Sequence, residues 1–395
     1  TELQRVKAIS SSGTPGGDGI ANTIVVEPGS TEDLIGNKNT QQTFDPITEA
    51  ADVIIPIVEN ATIDLNNGAV VISVSETVDL TPLATKLNLT RMHLANKTGD
   101  NEINLFGSTV IETDALQISL TLTEQQRVRA IEISQSVARG GDGHGQTLEA
   151  LAGSILDIGQ NGNADQIGIQ VTEIPDITVP TILGVSINYS QGLMVFNTSE
   201  YMDSTPYTRI DSTKLRLRQY ENHTSSDDIF LSDPIYVAAI DGYTITLQMS
   251  ETHRYRGVQM SGTPGGDNDA VYVEILSGFA TDIAQVPNAN QTLLAAEYDD
   301  IIGPTISSAV INYTHGTLRI FGSETIDSDP HNNTKVNYIR LVNQTGDLNI
   351  NLGGSIVTPS ELPYVDIILT SYKGSKRSLH QTPLVEMARR MLSTC

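Results

Sequence analysis

The side chains equipped for chemistry are acidic, and they recur. Glu49, Glu173 and Glu297 stand 124 residues apart. So do Asp52, Asp176 and Asp300, then Glu76, Glu200 and Glu324, then Asp79, Asp203 and Asp327. Asp33, Asp157 and Asp282 each precede a pair of Asn residues: Asn37 and Asn39, Asn161 and Asn163, Asn288 and Asn290. Carboxylate and amide oxygens on loops are the donors that Ca2+ takes. A Ca2+ ion is therefore expected at the repeat starts, with Asp52, Asp176 and Asp300 as its ligands. The plainer reading is that Asp and Asn make turns while Glu faces water. No segment has EF-hand spacing.

Asn-x-Ser/Thr triplets stand at Asn60, Asn88, Asn96, Asn188, Asn197, Asn222, Asn290, Asn312, Asn332 and Asn343. They mark acceptors for N-linked glycans in a secreted chain, although Asn-rich and Thr-rich turns also generate them by chance. Asn96, Asn222 and Asn343 fall in the same turn of successive repeats, and Asn188 and Asn312 share another phase. Catalysis finds no constellation. The His residues occupy mostly different phases, and no Ser sits in Gly-x-Ser-x-Gly. Carboxylate pairs occur in every repeat, which favours a structural role over a glycosidase pair. Gly140-Gly141-Asp142-Gly143-His144-Gly145 lacks the strand-then-helix context of a phosphate loop. The chain is read as no enzyme, with no cofactor beyond Ca2+ and glycans.

The elements that must position these residues come from the repeat. Asp52-Val-Ile-Ile-Pro56 returns as Asp176-Ile-Thr-Val-Pro180 and Asp300-Ile-Ile-Gly-Pro304; Pro82 returns as Pro206 and Pro330; Gly68, Gly192 and Gly316 share one phase. Within each copy apolar and polar residues alternate, as in Ala69–Val74, Leu116–Thr121 and Tyr243–Gln248, and Gly, Asn, Asp and Pro punctuate them. The expected class is all-β: three tandem Ig-like β-sandwich units of about 124 residues. No helix is expected inside the units. The one helix candidate is the tail, where Leu384, Met387, Ala388, Met391 and Leu392 share a face.

Among 395 residues, 47 Asp and Glu face 23 Lys and Arg, for a formal charge of −24. Nucleic acid and anionic membrane repel such a chain. No apolar run reaches the roughly 18 residues of a membrane span. The single Cys excludes a disulfide framework. The start at Thr1, with no Met and no leader, reads as a processed or cut product, and the composition as extracellular.

Asp300 to Ile306, then Gly316, then Ile320 through Ser323-Glu324 and Asp327 to Pro330, resembles the bacterial SbsA-type Ig-like repeat. The resemblance covers about the first third of each unit. It implies tandem extracellular modules that serve as spacers, adhesins and parts of surface layers or filaments, without catalytic residues. The later Gly-Gly-Asp loop departs from that pattern.

The phase of the motifs divides the chain into 1–52, 53–176, 177–300, 301–375 and a tail, 376–395. Thr1-Glu2-Leu3-Gln4-Arg5-Val6-Lys7-Ala8-Ile9 matches Thr123-Glu124-Gln125-Gln126-Arg127-Val128-Arg129-Ala130-Ile131. Residues 1–52 thus have the phase of the last third of a unit, an orphan strand segment. The third unit loses the motif after Thr370 and lacks its final strands. A head-to-tail homopolymer is expected, a pilus-like or hair-like filament at the cell surface. Val6, Ala8 and Ile9 would form a donor strand, packed beside the acceptor strand of Val365, Ile367 and Leu369 in another copy. The runner-up is a Ca2+-dependent adhesive array that binds a receptor or glycan.

Overall fold

The computed structural model describes residues 1–96, 103–222, 226–232, 236–238 and 240–370. The tail and its helix candidate lie outside the described residues. Alternating side chains make strands that are buried on one face. In the long strand Ala69–Val78, Val70, Ile72 and Val74 are buried, and a turn at Gly68 (φ 72°) links it to Val58–Asp64.

The strands used below are β1 (Ile24–Val26) and β2 (Gln42–Phe44); β3 (Val58–Asp64), β4 (Ala69–Val78), β5 (Met92–Asn96), β6 (Ala115–Thr121), β7 (Gln146–Ala150) and β8 (Gln166–Ile174). The second copy holds β9 (Ile182–Asn188), β10 (Leu193–Asp203), β11 (Leu215–Arg218), β12 (Gly242–Gln248), β13 (Tyr272–Ile275) and β14 (Gln291–Tyr298). The third holds β15 (Ile306–Asn312), β16 (Thr317–Asp327), β17 (Arg340–Val342), β18 (Asn349–Asn351), β19 (Ile356–Thr358) and β20 (Glu361–Ile368).

The first two copies share one order: β5-β7-β8-β3-β4-β6 is repeated as β11-β13-β14-β9-β10-β12, with two-residue strands at the rims. In each, the last strand runs parallel to the first, β8 beside β3 and β14 beside β9. That strand also pairs antiparallel with β7 or β13, so it knits the two halves of the sheet around one core. Ile63, Ile72, Leu94 and Ile118 fill the first core, and Ile187, Phe196, Leu217 and Ile245 the second. The fold class is all-β.

Two expectations are corrected. First, helices do stand inside the repeats: α1 (Glu2–Ser10), α2 (Glu124–Glu132) and α3 (Glu251–Gln259). Val6, Ala8 and Ile9, expected as a strand, are helical. The cause is local. Thr123 Oγ1 accepts from the Gln126 backbone N–H at 3.3 Å while Gln126 Oε1 accepts from the Thr123 N–H at 2.8 Å, a reciprocal cap. Thr1 and Gln4 repeat it, and Ser250 caps α3. Second, β20 is not an acceptor edge. It pairs with β16 on one side and β19 on the other, and Val365 and Ile367 point into the third core. Among the described residues that sheet ends at β19, which pairs only with β20, and at β15, which pairs only with β16; β15 is the edge that β8 and β14 cover in the other copies.

Candidate functional site: the arginine clasps and the open edge of the third repeat

Each helix presents one arginine to the copy that follows it. Arg127 of α2 forms a fork on Glu124 (2.8 and 2.6 Å), donates to the Leu65 carbonyl at 2.9 Å, and reaches Asp176 at 2.6 Å. Its Nη2 lies 3.5 Å from Glu200. Arg254 of α3 does the same with Glu251, the Tyr189 carbonyl, Asp300 (2.5 Å) and Glu324 (2.8 Å). Arg5 of α1 bonds Glu2, Asp52 (2.5 Å) and Glu76 (2.9 Å). Glu2 and Glu251 also accept backbone N–H groups from Thr77 and Thr325 across the joint. One guanidinium thus ties the end of a repeat to the Asp and Glu that open the next.

A third carboxylate joins two of these clasps. Asp52, Glu76 and Asp157 place one oxygen each within 4.8 Å of one another, and so do Asp176, Glu200 and Asp282. Asp300 and Glu324 share Arg254, and no counterpart of Asp157 or Asp282 joins them among the described residues. Of the expected ligands, Asp52 and Asp176 therefore sit in carboxylate triads, and Asp300 in a pair. Repeat phase alone brings out the partner acids and misses the arginines. A capping Thr or Ser followed directly by Glu-x-x-Arg, at Thr1, Thr123 and Ser250, is the legible signal for them.

Burial, and then the charge of Asp176, push the Glu200 carboxyl up to about 7; burial is also the main cause that raises Asp282 to about 6. The unfolded values are about 4. The folded chain therefore holds these protons more tightly than the unfolded chain. Stability contributed by protonation is full below the unfolded values and is lost as pH rises through about 6 and 7. Metal-free protein should melt at a higher temperature at pH 5.5 than at pH 8, and Glu200→Gln should flatten that dependence. An unchanged slope in the variant would remove Glu200 as its source.

The sequons divide by exposure. Asn60, Asn88, Asn197, Asn222, Asn290, Asn312 and Asn332 are exposed, Asn188 and Asn343 are half-buried, and Asn96 is buried. Asn96 Nδ2 donates to Asp142 Oδ2 at 3.0 Å, so the atom a glycan would need is engaged inside the fold, and Asn96 does not fit the expected surface acceptor.

The third copy differs from the others in what covers its first strand. Val58 and Ile182 are 3% and 2% exposed, whereas Ile306 at the same phase is 62% exposed. Leu65 and Tyr189 are buried, and Tyr313 is exposed. In the first two copies β8 and β14 lie on that edge; among the described residues nothing lies on β15. The N-terminal segment shows the converse. It carries α1, β1 and β2 in the phase of α2, β7 and β8, and β1 pairs with β2 as β7 does with β8. Yet Ile24 is exposed where Leu148 is buried, and Leu34 is fully exposed where Ile158 is buried.

No family model matches the chain, and no curated protein matches it. Solved structures similar to it include a marsupial T cell receptor (11% identity, TM-score 0.16, 79% of this chain and 90% of that one). Domains 1–6 of surface layer protein SbsC match with 11% identity and a TM-score of 0.22, over 80% of this chain and 50% of that one. The N-terminal four Ig domains of Dscam1 isoform 8.4 match with 7% identity and a TM-score of 0.17, over 81% and 72%. This chain therefore spans half the length of the surface-layer structure. Its neighbours are Ig-like, and likeness at such low TM-scores carries no functional weight. Among the described residues no helix is long and apolar enough to cross a membrane.

Proposed function

We propose that the chain is a structural subunit of an extracellular filament, in which residues 1–52 of one copy complete the third repeat of the next. One observation carries this reading: two surfaces of a single chain are exposed at the positions that their repeat counterparts bury against each other. Among the described residues the β15 edge lacks the parallel strand that β3 and β9 possess. The N-terminal segment offers that strand, the antiparallel neighbour and the helix in the right order. Apolar burial and backbone hydrogen bonding drive the closure. An exchanged segment of this size buries well over about 1,000 Å2, which is ample for a stable contact. The contact is heterologous, so it joins copies head to tail and extends into a filament where its rotation does not close a ring.

The joint between copies would then repeat the joint within a copy. α1 already clasps the first repeat of its own chain through Arg5, so a docked segment links two chains as α2 links two repeats. Asp33, now exposed and bonded to Asn37, would arrive beside Asp300 and Glu324 and complete a third carboxylate triad. Deleting residues 1–52 is expected to leave soluble monomers or amorphous aggregate and no filaments in negative stain. Normal filaments from the truncated protein would overturn the reading.

N-linked glycans are part of the same proposal, at the exposed sequons away from the β15 edge. Asn312 lies on that edge, so a glycan there and strand pairing exclude each other. Peptide mapping after endoglycosidase treatment should find deglycosylated sites among Asn60, Asn197 and Asn222 and an unmodified Asn96. A native mass unchanged by the enzyme would show that the triplets are only turns.

A further inference from the structure

We propose that Asp176, Glu200 and Asp282 hold a Ca2+ ion at the joint between the first two full repeats; the inference is independent of whether the chain polymerises. Asp176 and Asp282 are 1% exposed and Glu200 is 8% exposed. With Glu124 the joint gathers four carboxylates around one guanidinium, Arg127. Buried anions in that excess need a further cation or protons.

A departure from the repeat marks this joint. In the first repeat Asp157 spends both oxygens on Asn161, Oδ1 on its backbone N–H at 2.6 Å and Oδ2 on its side-chain amide at 2.9 Å. Asp33 and Asn37 form the same pair. In the second repeat Val286 stands where Asn161 does. Its backbone N–H still reaches Asp282 Oδ1 at 2.8 Å, but the side-chain donor is gone. Asp282 Oδ2 is sealed from water and has no hydrogen-bond partner. A buried carboxylate oxygen without a donor is costly unless a cation takes its lone pairs.

The donors are all hard oxygens, with neither imidazole nor thiolate among them, which suits a hard divalent ion and disfavours zinc and copper. Convergence of three carboxylates in an irregular frame suits Ca2+, whereas Mg2+ demands near-octahedral geometry and keeps several waters.

The test is equilibrium dialysis of the chelator-stripped 395-residue protein against labelled CaCl2 alone, with melting temperature read in parallel. The wild-type chain should take up Ca2+ and melt higher with it. Asp282→Asn should weaken uptake at least tenfold. Val286→Asn supplies the amide that Asp157 already has. It should likewise weaken uptake at least tenfold while the circular dichroism of the folded chain is retained. Asp157→Asn should leave this uptake in place. No Ca2+ uptake at millimolar concentration, or uptake by a folded Val286→Asn protein equal to wild type, would overturn the assignment.

Discussion

Replacing Arg127 with Met should lower the stability of the chelator-stripped protein by about 3–5 kcal/mol, the cost of leaving buried charges unpaired. The side chain is 5% exposed and supports Glu124, Asp176 and the Leu65 carbonyl at once. Met fills the stem but answers none of these acceptors, and Asp176 is buried beside Glu200 and Asp282 with no counter-charge. Lysine should not rescue it, because a single ammonium cannot reproduce the planar fork on Glu124 together with the contact to Asp176. Arg5→Met should cost only about 1 kcal/mol, since Arg5 is 34% exposed and its pairs are partly screened. Urea unfolding followed by circular dichroism separates the two variants. An Arg127→Met protein that unfolds at the wild-type midpoint would show that the clasp does not hold the joint.

How much of this can be read from the residues differs between strands and helices. The fixed offset of 124 and the period-two runs point to sheets, and the sheets are there. The helices escape such a reading because Val128, Ala130 and Ile131 look like a short apolar strand. What decides the conformation is the Thr123–Gln126 cap, a three-residue spacing that apolar periodicity does not register. Once α2 is a helix, Glu124 and Arg127 share a face and the fork follows. Phase alone brings Asp52, Asp176 and Asp300 forward as acids, but it cannot tell which of them a third carboxylate meets. That depends on the fold returning Asp157 and Asp282 to the start of their own repeats. Val365 and Ile367 look like an acceptor for a related reason. Their alternation marks a strand, yet alternation cannot distinguish a central strand from an edge.

The exposed edge makes the assembly testable in register. In the first repeat Thr172 of β8 stands opposite Thr62 of β3, and in the second Ala296 stands opposite Ser186, all in a parallel ladder. Shifted by the repeat offset, Thr48 of one copy should face Val310 of the next. Both positions correspond to side chains outside the core, so cysteines there disturb no packing, and in-register neighbours are close enough to bridge.

The decisive measurement is oxidative cross-linking of Thr48→Cys with Val310→Cys in a Cys395→Ser background, resolved on a non-reducing gel. Thr62→Cys with Thr172→Cys in the same background serves as the control, because that pair should close within one chain. Head-to-tail completion predicts a ladder of dimers, trimers and longer species from the Thr48–Val310 pair, collapsing to monomer on reduction, and no ladder from either single variant. If the control closes while the Thr48–Val310 pair stays monomeric, the N-terminal segment does not complete the third repeat of another copy.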